Sequence, residues 1–168
     1  MQKKVLSEQA IIYGDVSMPK GFEIDRFDLA LSSFSSILKG EKIKLNQKKF
    51  QQLNKYIIEH IYLNHKISLV NQDTWSNMFL PNEKTEPLLN VDPVDLKNSP
   101  DYTLLYGVGT SNCHVRIYYD DNRRKGRSWD MKLENNGFIL FPSNNIYYID
   151  NKPRDTLNFV QTITYIYV

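Results

Sequence analysis

The sequence predicts a mainly β protein of the α+β class, a sandwich or jelly roll of antiparallel strands preceded by helices. Three observations carry this prediction: helical periodicity between residues 25 and 66, a turn-rich stretch at 71–101, and successive strand patterns from residue 102 onward. The chain has 168 residues, the length of one domain. We divide it into an arm at 1–24, two helices at 25–66 and a β domain at 67–168.

The N-terminal residues 1–24 carry short apolar pieces interrupted by Gly14, Pro19 and Gly21. Glycine and proline interrupt regular structure in this way in turns and loops. We therefore expect an extended arm rather than a packed helix, and we expect this arm to reach neighbouring molecules.

Two apolar stripes at helical spacing predict two helices. The stripe of the first helix consists of Phe27, Leu31, Phe34 and Leu38. The stripe of the second helix consists of Phe50, Leu53, Ile57 and Ile61. Asn46 is a suitable N-cap for the second helix, which should end near Asn64 and His65.

Residues 71–101 are rich in Asn, Asp and Pro and predict a long irregular stretch that contains one short strand at most. Loops of this length are usually functional or held by a partner, so we expect this one to contact neighbouring molecules. Asp92, Asp95 and Asp101 supply carboxylates here. We interpret them as ordinary turn residues rather than as a catalytic pair.

From residue 102 the pattern is a series of strands separated by short turns. In the strand at 112–120 successive side chains point to opposite faces, which separates Cys113 from His114. They cannot form a Cys–His dyad, and Cys113 is predicted to be a buried, unreactive thiol. Asn-Asn-Gly at 135–137 predicts a tight hairpin turn between two strands.

Composition excludes several classes of protein. The formal net charge of +2 disfavours a general nucleic-acid binder. Cys113 is the single cysteine, which excludes an internal disulfide and a cysteine-based zinc site. No apolar run has the length of a membrane span or a signal peptide, so we expect no membrane partner.

The three histidines predict no metal site and no cofactor. A facial iron triad commonly begins with His-x-Asp/Glu, and no histidine here is followed in that way. His60 and His65 are five residues apart, whereas a shared helix face requires four.

Exposed aromatic and cationic side chains are the best candidates for contacts. Arg123, Arg124 and Arg127 lie in one turn and form the concentrated positive charge of the chain. Asp120 and Asp121 partly neutralise that charge, which favours a protein partner or a solvated turn over nucleic acid. The strands are rich in tyrosine, which suits protein interfaces or carbohydrate stacking and suits a tyrosine-rich sheet core equally well. Tyr118 and Tyr147 are the tyrosines that we predict to make contacts.

The C-terminal third carries a recognisable order of signals. Gly137 is followed by Phe-Ile-Leu-Phe-Pro-Ser at 138–143, by Ile-Tyr-Tyr-Ile at 146–149 and by a closing strand from Leu157. In this order the chain resembles the final strands of the phage- and bacteria-encoded 2-oxoglutarate/Fe(II) oxygenase-like family. The resemblance covers about residues 100–168 and implies a double-stranded β-helix, a cupin-like jelly roll preceded by helices.

The resemblance also implies where iron ligands would lie, and the required residues are missing. The distal histidine would follow the Phe-Pro-Ser segment, where Tyr147 stands. The first histidine and the acid would precede the first strand of the β region, where Asp92 and Asp95 occur without a histidine. The co-substrate arginine would open the last strand, where Leu157 stands and Arg154 lies only nearby. We therefore expect a degenerate relative that has lost its iron.

A second resemblance concerns the strings Asp-Asp-Asn-Arg-Arg at 120–124 and Asn-Phe-Val-Gln-Thr at 158–162, which are similar to small proteins of marine tailed phages. The leading prediction is a non-enzymatic jelly roll that contacts copies of itself or assembly proteins, in a virion or the host cytoplasm. One alternative is an atypical metal-dependent oxygenase with Asp92, Asp95 and His114 as substitute ligands. Another is a glycan-binding jelly roll that uses the tyrosine face.

Overall fold

A computed structural model describes residues 9–17, 20, 22–27, 29–30, 47–120, 126–152 and 157–168. The helix α1 spans Gln47–His65. The strands are β1 (Ile12–Asp15), β2 (Leu69–Phe79), β3 (Tyr102–Val108), β4 (Cys113–Asp120), β5 (Gly126–Leu133), β6 (Gly137–Pro142), β7 (Tyr147–Asn151) and β8 (Asn158–Tyr167). A short 3-10 turn at Leu96–Asn98 interrupts the connection between β2 and β3.

The strands form two antiparallel sheets. The larger sheet has the order β1-β6-β3-β8-β2, and the smaller sheet has the order β5-β4-β7. Residues 84–88 extend the smaller sheet through two bridges to β7, which pair Lys84 with Asp150 and Leu88 with Tyr147. The predicted jelly roll of antiparallel strands is confirmed.

The helix α1 packs on the outer face of the larger sheet. Its predicted stripe is confirmed, because Leu53, Ile57 and Ile61 are buried in one cluster with residues of β3, β6 and β8. Residues 26, 27, 29 and 30 are helical, and the rest of the first predicted helix lies outside the described residues, as does Asn46. In the part of the chain that the structure describes, no helix combines the length and the apolar character needed to cross a membrane.

The second layer of the core lies between the two sheets. Strand β3 shows how both layers are built, since Leu104 and Tyr106 belong to the helix-facing cluster and Leu105 belongs to the cluster between the sheets. Both faces of β3 are therefore buried, which explains its nearly continuous apolar sequence. Cys113 also lies in the inner cluster and is fully buried, as predicted.

The expected irregular stretch at 71–101 was wrong in its first part, because β2 is an 11-residue strand that pairs with β8. Its polar side chains support the pairing: the Thr74 hydroxyl donates to Thr162 O (3.0 Å) and Asn71 Nδ2 donates to Thr164 O (3.3 Å). The register shifts between Asn71 and Asp73, which is a β-bulge. Tertiary pairing therefore overrides the turn preference of these residues.

The Asn-Asn-Gly turn was predicted as a hairpin, and that prediction was wrong. Strand β5 pairs with β4, whereas β6 pairs with β1 and β3, so the turn carries the chain from the smaller sheet to the larger one. The turn itself is tight: Gly137 N donates to Glu134 O (3.1 Å), and Asn136 has a φ of 58°.

Part of the predicted N-terminal arm packs on its own chain. Strand β1 pairs antiparallel with β6, and Val16 and Ile24 are buried in the helix-facing cluster. Asn136 fixes this segment, because its Nδ2 donates to Val16 O at 2.8 Å.

Candidate functional site

Tyr147, which stands where the resemblance expects the distal histidine, begins β7 and is only 3% exposed. Its backbone pairs with Leu88 in both directions, at 2.9 and 3.0 Å. Its ring meets the ring of Phe141 edge-on, with 5.1 Å between the centroids. Burial raises the pKa of the Tyr147 phenol to about 12, so the hydroxyl stays protonated at neutral pH. Tyr147 cannot contact a partner from this position, which overturns its prediction as a contact residue.

The Tyr147 hydroxyl belongs to a network of uncharged polar groups between the sheets. Asn90 Nδ2 donates to the Tyr147 hydroxyl (3.2 Å) and to Thr103 Oγ1 (3.0 Å). Thr103 Oγ1 in turn lies 2.8 Å from Ser143 Oγ, and both of these residues are buried. The four side chains satisfy one another without any formal charge, as buried polar groups require.

This donor set does not fit an iron site of the kind that the resemblance implies. Ferrous iron in such sites takes two imidazole nitrogens and a carboxylate, whereas the network offers hydroxyls and one carboxamide. No group of three or more His, Cys, Asp or Glu side chains that could hold a metal ion occurs among the described residues. The position at which the resemblance expects a histidine thus holds a hydrogen-bonded network of uncharged side chains.

Three other residues named by the resemblance, Asp92, Asp95 and Leu157, are exposed. Asp92 and Asp95 are exposed and accept turn hydrogen bonds, from Val94 N (2.8 Å) and from Asn98 Nδ2 (2.8 and 3.0 Å). Leu157 precedes β8 and is 40% exposed, and Arg154 lies outside the described residues.

His114, proposed as a substitute ligand with Asp92 and Asp95, lies on the outer face of β4 and belongs to a different cluster. His114 Nδ1 lies 2.8 Å from Asp130 Oδ1, and Arg116 Nη2 lies 3.1 Å from Asp130 Oδ2. Partial burial raises the pKa of the Asp130 carboxyl, but the hydrogen bonds and charges of His114 and Arg116 outweigh it, so this pKa is lowered. The site is a surface ion cluster centred on one carboxylate.

Asp130→Asn tests this cluster. A carboxyl with a lowered folded-state pKa stabilises the protein above its unfolded pKa, and this contribution disappears as the pH falls through the folded value. We expect Asp130→Asn to lower Tm by up to about 3 °C at neutral pH and by less at about pH 3, where protonation of the carboxyl begins to remove its contribution. Thermal unfolding at both pH values measures this, with Glu86→Gln as a control at an exposed carboxyl. A Tm loss that is equal at both pH values would contradict the assignment.

The predicted contact residues lie in different places. Tyr118 is 39% exposed and meets Tyr148 edge-on, with 5.4 Å between the ring centroids. Arg127 is exposed at the start of β5, whereas Arg123 and Arg124 lie outside the described residues.

Cys113 and His114 lie on opposite faces of β4, as the alternation predicts. Burial, and secondarily the charge of Asp150, raises the pKa of the Cys113 thiol to about 12. The thiolate is therefore scarce at neutral pH, and the thiol is unreactive.

Sequence reasoning missed Asn90, which holds the network together. Its neighbours Leu88 and Leu89, and the prolines around it, gave the signature of a loop. Only the pairing of residues 84–88 with β7 brings Asn90 to Tyr147. That pairing consists mainly of backbone hydrogen bonds, which leave no pattern in the sequence.

Comparisons with known proteins agree with the arrangement of the sheets. No protein-family model and no curated protein sequence matches the chain. A crystal structure of a Pseudomonas putida prolyl-4-hydroxylase is similar with a TM-score of 0.61 at 11% identity, over 94% of this chain and 85% of that one. The crystal structure of the non-heme alpha ketoglutarate dependent epimerase SnoN from nogalamycin biosynthesis is similar with a TM-score of 0.62 at 8% identity, over 94% of this chain and 78% of that one.

A 2OG-Fe(II) oxygenase-family oxidoreductase from Burkholderia pseudomallei gives a TM-score of 0.53 at 9% identity, over 76% of this chain and 63% of that one. Identities this low show the fold and leave the activity open. The chain therefore has the double-stranded β-helix fold of 2OG-Fe(II) oxygenase-family proteins.

Proposed function

We propose that the protein is a non-catalytic member of this fold that works through protein–protein contacts, with copies of itself or with assembly proteins. The observation that carries the proposal is the uncharged network of Asn90, Thr103, Ser143 and Tyr147 at the expected ligand position. A structural role in an oligomeric particle such as a phage, in a virion or the host cytoplasm, is part of the same proposal.

Iron content tests the loss of catalysis. After anaerobic incubation with Fe(II) and 2-oxoglutarate, followed by desalting, we expect the protein to hold less than about 0.1 equivalent of iron, because it offers no imidazole–carboxylate set at the expected position. Elemental analysis measures the iron content. Stoichiometric iron together with turnover of 2-oxoglutarate would support the oxygenase alternative instead.

The long connection between β2 and β3 supplies apolar surface for such contacts. Four of its apolar side chains are exposed: Leu80 (54%), Leu89 (43%), Val94 (94%) and Leu96 (68%). Exposed apolar groups clustered on one connection mark an interaction surface more often than isolated ones do. Tyr118, Arg123, Arg124 and Arg127 remain proposed contact residues.

The combined change Val94→Asp and Leu96→Asp tests this surface. Both side chains are exposed, so we expect the variant to fold normally and to lose self-association, because an assembled interface would bury the new charges. Light scattering after size-exclusion chromatography measures the mass. Leu63→Asp, at a 62% exposed residue of α1, is the control. A wild-type chain that is strictly monomeric and co-purifies with no partner would overturn the proposal.

A further inference from the structure

A cavity lies between the two sheets, and the exposed residues of the connection between β2 and β3 do not line it. It has a volume of about 330 Å³, within the usual range for small-ligand pockets, which is about 300–1,000 Å³. It lies where β1 and the end of β6 face β4 and β5, so residues of both sheets line it. It is separate from the network around Tyr147.

Three aromatic side chains line this cavity. Tyr119 and Trp129 come from paired strands: Trp129 lies opposite Ile117, and Tyr119 follows two residues later on the same face of β4. Tyr13 of β1 adds a third ring from the larger sheet. Trp129 is 54% exposed and Tyr13 is 66% exposed, so their ring faces are open to a ligand.

The polar groups of the cavity are carboxamides. Asn145 and Gln9 line it, and none of its described lining residues carries a charge. Asn145 is only 7% exposed and lines the cavity. A carboxamide both donates and accepts hydrogen bonds, so Asn145 and Gln9 can pair with the hydroxyl groups of a ligand.

A second cavity of about 300 Å³ adjoins the first and shares Gln9, Tyr119 and Asn145 with it. Tyr118 and Asn144 also line this second cavity, again without a charged residue among its described lining. The two cavities together form a groove with an aromatic half and an amide-rich half.

We propose that this groove binds a neutral oligosaccharide. A sugar ring presents C–H groups that stack on aromatic faces and hydroxyls that pair with carboxamides, which matches the lining. Among the described residues the lining carries no charge. An anionic sugar would require a cation there, and a cationic ligand would find aromatic rings without a carboxylate. The two adjoining cavities favour more than one sugar unit. The inference does not depend on the proposed protein–protein contacts; of the proposed contact residues that the structure describes, Tyr118 also lines the groove.

A glycan array probed with the full-length protein tests the proposal. We expect binding to neutral oligosaccharides and none to their sialylated or sulfated counterparts. The strongest neutral ligand is then titrated by intrinsic fluorescence, with an expected Kd of about 1 mM or tighter. Silence across the array, a preference for charged glycans, or binding of tetramethylammonium in place of sugars would overturn the proposal.

Variants locate the site. Trp129→Ala is expected to weaken the affinity about tenfold or more, and Asn145→Asp to weaken it similarly by removing the amide donor. Tyr62→Ala, at a 51% exposed tyrosine of α1, is the control and should leave the affinity unchanged. Thermal unfolding confirms that each variant is folded. Unchanged sugar affinity in both folded site variants would place the ligand elsewhere and overturn this assignment.

Discussion

Gly107→Ala is expected to destabilise the protein by about 2–3 kcal/mol, because the new methyl group would enter space that backbone already fills. A Cβ at position 107 would overlap the carbonyl oxygen of Glu134 and lie 2.7 Å from Thr110 Oγ1. The carbonyl of Glu134 is held by the turn after β5, and Asn136 N donates to Gly107 O at 2.9 Å. Neither the backbone at Gly107 nor the turn that holds the Glu134 carbonyl can move away without breaking the hydrogen bonds of the crossover between the sheets.

Gly14→Ala is the matched control. A Cβ at Gly14 would meet nothing closer than Phe138 Cε1 at 3.6 Å, which is ordinary van der Waals contact. We expect this variant to stay within about 0.5 kcal/mol of the wild type. Urea unfolding of both variants measures the difference. Equal midpoints and slopes for Gly107→Ala and the wild type would show that β3 does not approach the turn as described.

Asn158→Leu is expected to cost about 3–4 kcal/mol, since it removes three hydrogen bonds at a fully buried position. Asn158 Nδ2 donates to Asn151 Oδ1 and to Ser111 O (3.2 Å), and its Oδ1 accepts from Ser111 N (2.7 Å). Asn151 continues the network, because its Nδ2 donates to Leu80 O at 2.6 Å. Two buried carboxamides thus join the ends of β2, β4, β7 and β8.

Asn158→Asp provides a readout that simple loss of packing would not give. The introduced carboxyl keeps the size of the side chain, but its ionised form cannot donate to Asn151. Burial raises its pKa above the unfolded value, so the stability of this variant should rise as the pH falls. Asn144→Leu, at an exposed turn position, is the control and should be nearly neutral. A pH-independent loss in Asn158→Asp would contradict the role of the donated hydrogen bond.

The sequence predicts those helices and strands that bury one face, because apolar residues then recur at a regular spacing. The stripe of α1 is apolar on one side, and β4 alternates between a buried and an outer face, so both follow from residue spacing. Strand β2 was missed because its Asn and Asp residues are turn formers in isolation and are held as a strand only by β8. The turn at 135–137 has the sequence of a hairpin turn but connects two sheets. Only the strand pairing of both sheets distinguishes a crossover from a hairpin here.

The residues of the candidate site could be predicted only where a recognisable motif lies near them in the sequence. The spacing from the Phe-Pro-Ser segment placed Tyr147 correctly at the start of β7, but it could not show that the side chain is buried. Asn90 comes to Tyr147 from 57 residues away in sequence. The cavity at Trp129 likewise combines β1 with β5, whose proximity no local pattern encodes.

The position of β8 in the larger sheet determines when that sheet can form. Strand β8 lies between β3 and β2, and among the described strands β2 pairs with β8 alone. Until β8 is in place, β2 and one edge of β3 have no partner strand, and these edges are open to pairing with other chains. The insertion of Asn158–Tyr167 between β3 and β2 is therefore the step that completes the larger sheet during folding.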